Sequence, residues 1–535
     1  MKLIFKILSR VIPVLVLVMF IMLSIKSIKD RQVDYDVSTE GLAMPAFSEV
    51  EIDFTQAHEE DKSLPFMASA VIDINNDGVE ELFLGGGYNQ ADAVFRFEEN
   101  QFVDISDQTG LEKQSNDATL GSVVMDIDNN GYSDLIIARE SGIWLHKNNN
   151  GRFSSEKLDA PLSEDTTPLS VAIADINRDG HFDMFVSGYI RLDLVEGQNI
   201  FNKEGYGGTS AMLLNNGDNS FTDITESSGL YYKHNTFQGV FVDLDNDGLE
   251  DLVVAHDTGQ VRTWKNIGDS KFENMPNPNS EQYGYPMGIA VSDYNNDGLV
   301  DLFFSNVGST APTFMVKGDL REDQNLNTKW IMLENKGGFI FEDVAEARKV
   351  ADYEFSWGAI FEDFNLDGLD DLVVSENYIG CPPHRFPFLR LPGRFMLQNQ
   401  NGEFAEVSEA VGIDNKFYSI SPITADFNQD GAPDVVHINL KDKPKAFISQ
   451  AQKNHYLKVK LADTVNSIGA MVTVTRTDGS KLYKPFISGE GLCSDQSHIL
   501  IFGLGEGSAV DVQVDYLDGT SSNQNGEFVD TLLTF

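Results

Sequence analysis

Asp243-Leu-Asp245-Asn-Asp247-Gly248-Leu-Glu-Asp251 puts oxygen-bearing side chains at positions 1, 3, 5 and 9 of a tight loop, with glycine at position 6. Hard cations such as Ca²⁺ take about six to eight oxygen ligands, and alternate positions of a short loop supply them. Leu249, at position 7, would add its backbone carbonyl, and the glycine permits the sharp turn. An EF-hand would need a bidentate Glu at position 12, where this chain has Val254. Gly239-Val-Phe-Val precedes the loop and Leu252-Val-Val-Ala follows it, both strand-like, with no amphipathic helix on either side. The loop therefore belongs at the tip of a β-hairpin.

The unit recurs, seven copies in all. The others are Asp73, Asn75, Asp77 and Glu81; Asp126, Asp128, Asn130 and Asp134; Asp175, Asn177, Asp179 and Asp183; Asp293, Asn295, Asp297 and Asp301; Asp363, Asn365, Asp367 and Asp371; and Asp426, Asn428, Asp430 and Asp434. Gly78, Gly131, Gly180, Gly298, Gly368 and Gly431 hold the sixth position. A single copy reads equally well as an Asx-type turn. A turn, however, needs no acid at position 9, whereas a cation does. Two carboxylates about 5 Å apart repel by roughly 3 kcal/mol at an effective dielectric of about 20. Repeating that cost seven times calls for neutralisation, so the pattern predicts up to seven structural Ca²⁺ ions. Glu81 and Asn130 depart most from the pattern, which predicts weaker sites there.

The 535 residues suffice for a large core and more than one domain. Acidic residues number 83 against 39 basic, a net charge of −44. Seven calcium ions would leave about −30, a field that repels nucleic acid and excludes it as a partner. A hydrophobic fraction of 41% with 36 Phe describes a packed protein, not a disordered acidic chain. Cys381 and Cys493 are the only cysteines, which rules out a disulfide scaffold and a thiolate zinc site. They could form one bridge or remain two thiols.

Residues 1–31 read as a membrane-targeting helix. Lys2, Lys6 and Arg10 lead into an apolar run from Val11 to Ile25, closed by Lys26. That run of 15 residues spans about 22 Å as a helix, short of a bilayer core near 30 Å, yet flanking lysines can snorkel. No Ala-x-Ala-like cleavage site follows. An uncleaved anchor and a cleaved signal both remain open, and either exports the bulk of the chain. The expected location is the periplasmic or extracellular side, anchored to the inner membrane or secreted.

Residues 32–46 read as a linker. From 47 to 450 the repeats run without a break, their first aspartates at 73, 126, 175, 243, 293, 363 and 426. A spacing of 49 to 70 residues holds four short strands, the content of one propeller blade. The first strand ends at the acidic loop and the second begins after it. A third carries runs such as Met212-Leu-Leu-Asn-Asn, and a fourth runs such as Phe221-Thr-Asp-Ile. Ile52-Asp-Phe-Thr looks like a fourth strand with no blade before it, so it is expected to complete the seventh blade and close the ring.

These loops resemble FG-GAP/VCBS repeats, as in the β-propeller of integrin α subunits. That resemblance implies calcium-binding hairpin tips. Residues 451–535 carry no such loop. Asn454-His-Tyr-Leu-Lys-Val-Lys-Leu461, Asn466-Ser-Ile-Gly-Ala470, Gly489-Glu-Gly491 and Phe502-Gly-Leu-Gly505 resemble the ASPIC/UnbV domain, which follows such propellers in bacterial proteins and in the cartilage acidic protein family. The family's usual Val-x-Trp-Pro-x-Gly is here Val514-Asp-Tyr-Leu-Asp-Gly519. Alternation at Leu457, Val459 and Leu461 and at Val472 and Val474 predicts half-buried strands of a small β-sandwich or barrel. The fold class is thus all-β: a seven-bladed β-propeller followed by a small β domain.

Insertions at about 188–210, 306–329 and 376–394 follow the second strands of the third, fifth and sixth blades. They gather on the propeller face opposite the acidic loops, where long loops on a rigid scaffold usually bind. In the last insertion His384, Arg385, Phe386, Phe388, Arg390 and Arg394 set arginines among aromatics, which suits carboxylates, sugars or an acidic partner. The bland alternative is a proline-stiffened loop that covers the ring's centre or packs on the C-terminal domain. No Gly-x-Ser-x-Gly, His-Glu-x-x-His or P-loop is present, and Gly503-Leu-Gly-Glu-Gly507 precedes a strand, not a helix. The expectation is a non-enzymatic, exported module that binds a protein or polysaccharide. The alternatives are an envelope enzyme working at the central propeller face and a scaffold subunit of an envelope complex.

Overall fold

Alternating apolar runs separated by acidic turns fold into seven antiparallel sheets in the computed structural model, which describes residues 35–535 except 60, 112–116, 196–204, 309–315, 378–389 and 451. Before residue 35 only Leu15, Val18 and Met22 are described, so the targeting segment lies outside the described residues. Among the described residues no helix is long and apolar enough to cross a membrane.

Blades 1 to 6 span 69–104, 119–157, 166–223, 236–275, 289–343 and 356–406. The seventh combines 419–449 with Phe47–Glu51, which pairs antiparallel with Lys445–Ser449 from Phe47↔Ser449 to Glu51↔Lys445. The ring is therefore closed by the N-terminal strand, as its sequence implies. That strand lies a few residues before Ile52, whose N–H already turns away to the Pro444 carbonyl. Consecutive first strands neighbour one another around the ring, and those of blades 7 and 1 meet. Their residues are buried almost throughout, because each first strand faces both its own blade and the centre.

Residues 35–46 are not a free linker. Tyr35 donates to Asp352 at 2.8 Å and meets the Tyr353 ring edge-on, while Val37 and Leu42 pack on the core of blade 6.

The C-terminal domain is a sandwich of a three-stranded sheet (Ile499–Gly505, His455–Lys460, Thr531–Thr534) and a four-stranded one (Lys481–Pro485, Met471–Arg476, Ala509–Asp515, Ser521–Phe528). Leu457, Val459, Leu461, Val472 and Val474 are buried between the sheets, as their alternation predicts. Its core is continuous with that of blades 2 and 3: Val123, Met125, Val171 and Ile173 share one cluster with it. Contacts with Asp126, Asn296, Asn365, Leu366 and Asp367 place the domain on the acidic-loop face of the ring.

From that face the domain sends a segment into the central channel. Ser494–Asp495 adds a fifth strand to blade 1, parallel to Ser69–Ile72. Around it the segment meets four more blades: Asp495 accepts from Val124 N (2.7 Å), Gly489 O from Gln238 Nε2 (2.7 Å), Glu490 from Val291 N (2.7 Å) and Gln496 from Thr424 N (3.0 Å). Leu492 and Cys493 sit below it in a cluster with Phe66, Phe237 and Trp357, whose rings contact one another at 5.9–6.1 Å. The channel is thus filled by polar backbone pairing at one end and by aromatics at the other. Cys493 is a buried free thiol, pushed upward by burial, and Cys381 lies outside the described residues.

Candidate metal centres and the open face

Each acidic loop is held by the same internal bonds. The first aspartate accepts the N–H of the sixth-position glycine at 2.7–3.1 Å in all seven. That glycine has φ between 82° and 93°, a left-handed conformation in which a Cβ would clash with the backbone. The fourth position is also left-handed in every loop, with φ of 55° to 59° at Asn76, Asn129, Arg178, Asn246, Asn296, Leu366 and Gln429. Asparagine tolerates that region best, and four of these amides do a second job. Asn76, Asn246, Asn296 and Gln429 each donate to the glycine carbonyl of the next loop around the ring, at Gly131, Gly298, Gly368 and Gly78. Sequence reasoning missed the fourth position, although its run of amides was visible.

Position 9 also needs correcting. Asp251 accepts Leu244 N at 2.9 Å through one oxygen and Asn266 N at 2.8 Å through the other. Asp134, Asp183, Asp371 and Asp434 do the same, each binding its own loop and the end of the third strand. An acid at position 9 therefore has work to do without a cation: it ties the hairpin tip to the neighbouring strand. Glu81 bonds Ile74 N at 3.0 Å and gives its other oxygen to Arg96.

Several features nonetheless fit a hard cation. Asp126, Asp128 and Asp134, and likewise Asp243, Asp245 and Asp251, bring three carboxylate oxygens within 4.8 Å of one another. These are the two loops with Asp at position 3; Asn75, Asn177, Asn295, Asn365 and Asn428 take that place elsewhere. Asn130 at position 5 does not keep the three carboxylates of its loop apart. Asn130 turns its amide to the Asn148 carbonyl. Asp245 Oδ1 and Asp301 Oδ2 are buried with no hydrogen-bond partner among the described residues, which a cation would supply. Burial first, then neighbouring carboxylates, pushes Asp301 up to about 9; for Asp251 burial carries the carboxyl to about 8. A divalent ion relieves that crowding.

Four loops also carry a cationic side chain. Lys265 pairs with Asp245 and Asp247, Lys147 with Asp128, Arg96 with Asp77 and Glu81, while Lys458 and Lys460 of the C-terminal domain reach Asp426 and Asp73. Alternation puts both C-terminal lysines on one side of His455–Lys460, facing the ring.

The opposite face holds the insertions, which leave the second strands at Ile190, Phe304 and Glu376 as expected. His384, Arg385, Phe386 and Phe388 lie outside the described residues. Arg390 stacks over Phe417 at 5.3 Å. Arg394 is not a surface contact: it opens the third strand of blade 6, is 7% exposed and pairs with Glu354, with Glu376 at 3.8 Å and Glu406 at 3.9 Å. Its place beside an aromatic loop disguised a core ion pair. Two cavities open on this face, one of about 510 Å³ beside blades 2 and 3 and one of about 180 Å³ over blade 4.

A model described as an FG-GAP-like repeat matches residues 73–137, 126–186 and 243–304, and one described as ASPIC and UnbV matches 461–535. Cartilage acidic protein 1 of Xenopus tropicalis is 24% identical over 496 residues, covering 86% of this chain and 72% of its own length. The Homo sapiens protein of that name is 22% identical over 321 residues, covering 57% of this chain; the match spans about half of the human protein, 46%. Among solved structures, BBS1N in complex with ARL6DN aligns over 79% of this chain and 98% of its own, at 10% identity and a TM-score of 0.42. This chain thus carries FG-GAP-like repeats and a C-terminal match to ASPIC and UnbV, and is similar at low identity to cartilage acidic protein 1.

Proposed function

We propose that the protein is an exported, calcium-stabilised propeller that binds a protein or polysaccharide through the face carrying its insertions. One observation carries this reading. The C-terminal domain covers the acidic-loop face and fills the channel, so the insertion face is the broad surface left open. Calcium, in this reading, is structural: it neutralises the acidic hairpin tips and leaves the chemistry of recognition to the other face. Residues 1–31 would hold the molecule at the membrane or direct its export.

The test is capture of purified glycans and envelope proteins on the immobilised chain, in calcium and in chelator. The comparison proteins carry short Gly/Ser turns in place of 306–329 or of 378–389. The second replacement spares Glu376 and Arg394, which belong to the core of blade 6. A ligand lost in either shortened protein supports the reading. A ligand retained by both, but lost when the C-terminal domain is altered, overturns it.

A further inference from the structure

Blade 4 joins its second and third strands by a short turn, while blades 3 and 5 on either side carry long insertions. A valley results, and the cavity of about 180 Å³ lies in it. Its walls carry Lys233, Arg262 and Arg321 together with His234 and His256, and no carboxylate among the described residues. In a chain with 83 acidic and 39 basic residues that is a marked local reversal of charge.

The groups are built in, not merely exposed. Arg262 lies over the Tyr232 ring at 5.0 Å and Trp264 at 5.6 Å, and those two rings stack on each other. Among the described residues its guanidinium has no carboxylate partner, although Lys233 pairs with Asp165 and Arg321 with Asp323. A guanidinium held against aromatics, with no carboxylate partner, keeps its fork of donors free for a planar anion. His256 is 1% exposed and gives its Nδ1 proton to the Gln260 carbonyl at 2.9 Å. Its Nε2 is then an acceptor, buried and without a partner among the described residues. His234 meets it edge-on and donates to the Asp257 carbonyl at 2.8 Å. Burial, Arg262 and His234 together hold His256 neutral, which preserves the acceptor.

We infer that this cavity is a binding site for an acidic sugar, a uronate ring whose carboxylate meets Arg262 and one of whose hydroxyls donates to His256. The inference rests on the proposed function and names its ligand class. An acidic protein side chain would satisfy Arg262 but brings no donor for His256. The cavity also takes one ring, not a strand or helix. Tyr283 on the wall offers an apolar face of the kind sugar rings lie against.

The experiment uses the full chain in detergent, with calcium fixed, and calorimetry. The probes are a tetrasaccharide alternating glucuronate with N-acetylglucosamine, its carboxyl-reduced counterpart and a tetraglutamate peptide. The charged sugar is expected to bind at least tenfold more tightly than the reduced one. Arg262→Gln should lose tenfold or more on the charged sugar and abolish the difference between the two. Should Arg262→Gln fail to fold, Arg321→Glu, on an exposed side chain, puts the same question. Equal affinity for both sugars, no binding of the charged one, or unchanged affinity in the variants overturns the inference. So does tetraglutamate binding as tightly with the same dependence on Arg262, which would assign the site to an acidic protein. If the sugar fails while another ligand still depends on residues 306–329, only this inference falls. If no ligand depends on them or on residues 378–389, the broader reading falls as well.

Discussion

Asp301→Asn separates the two roles of the acidic loops. Asp301 accepts Asn335 N at 2.7 Å through Oδ1, and its Oδ2 is buried without a partner. Asparagine keeps the first bond and replaces the stranded oxygen with an amide, so no backbone N–H is orphaned. In chelator the variant should therefore equal or exceed the parent in stability, since an unpaired buried carboxylate is a liability. Calcium reverses the order. At about 10 mM, a site with a dissociation constant near 10⁻⁴–10⁻³ M stabilises the folded state by about 1.4 to 2.7 kcal/mol. The variant forfeits that gain. The assay is urea unfolding followed by tryptophan fluorescence, with Trp330, buried at the start of the same blade's third strand, as a local reporter. Both proteins are measured in chelator and in calcium at matched ionic strength. A stability difference that is the same in both media would refute the cation reading of this loop and leave position 9 a hydrogen-bonding device alone.

Three further outcomes are expected. Arg394→Ala strands Glu354 and Glu376 in the core of blade 6 and should cost about 3–5 kcal/mol in urea unfolding; a cost below about 1 kcal/mol would return Arg394 to the surface. Burial alone would raise Asp92, but the His146 hydrogen bond and Arg139 hold it down at about 2. A carboxyl lowered on folding stabilises above its unfolded value near 3.8, and that contribution fades as pH falls from there towards 2. Asp92→Asn should therefore cost about 2 kcal/mol at pH 6 and almost nothing at pH 2, and a gap independent of pH would contradict the ion pair. Gly489→Val adds a Cβ at φ 82°, 2.9 Å from the Val171 carbonyl, so the segment cannot seat in the channel. Limited proteolysis should then cut between residues 486 and 499 at least tenfold faster than in the parent, and equal rates would mean the channel does not hold it.

The repeat was legible because its chemistry is local: each loop carries its own acids, glycine and flanking strands. Ring closure was legible too, since a fourth strand without a blade has one place to go. What the loops contact was not. Asp251 looks like a ligand in sequence, and only the position of Asn266 gives it a second purpose. Lys458 and Lys460 look like an ordinary exposed pair until the domain lands on Asp426 and Asp73. Residues 488–496 have no periodicity to read, because their partners are spread over several blades. The cationic cavity is assembled from three blades, and no stretch of sequence holds more than two of its residues in a row.

The closing strand has a consequence for assembly. Glu51 must find Lys445 across almost the whole ring, and closing a loop of that size costs about 5 kcal/mol of chain entropy before the pairing repays it. Six blades can form from neighbours in sequence; the seventh waits. Until then Lys445–Ser449 presents an unpaired edge, the kind that recruits strands from other molecules. Folding is therefore expected to be slow at its last step and sensitive to crowding. Were the proposed calcium to preorganise the hairpin tips, it would shorten the interval during which that edge is exposed.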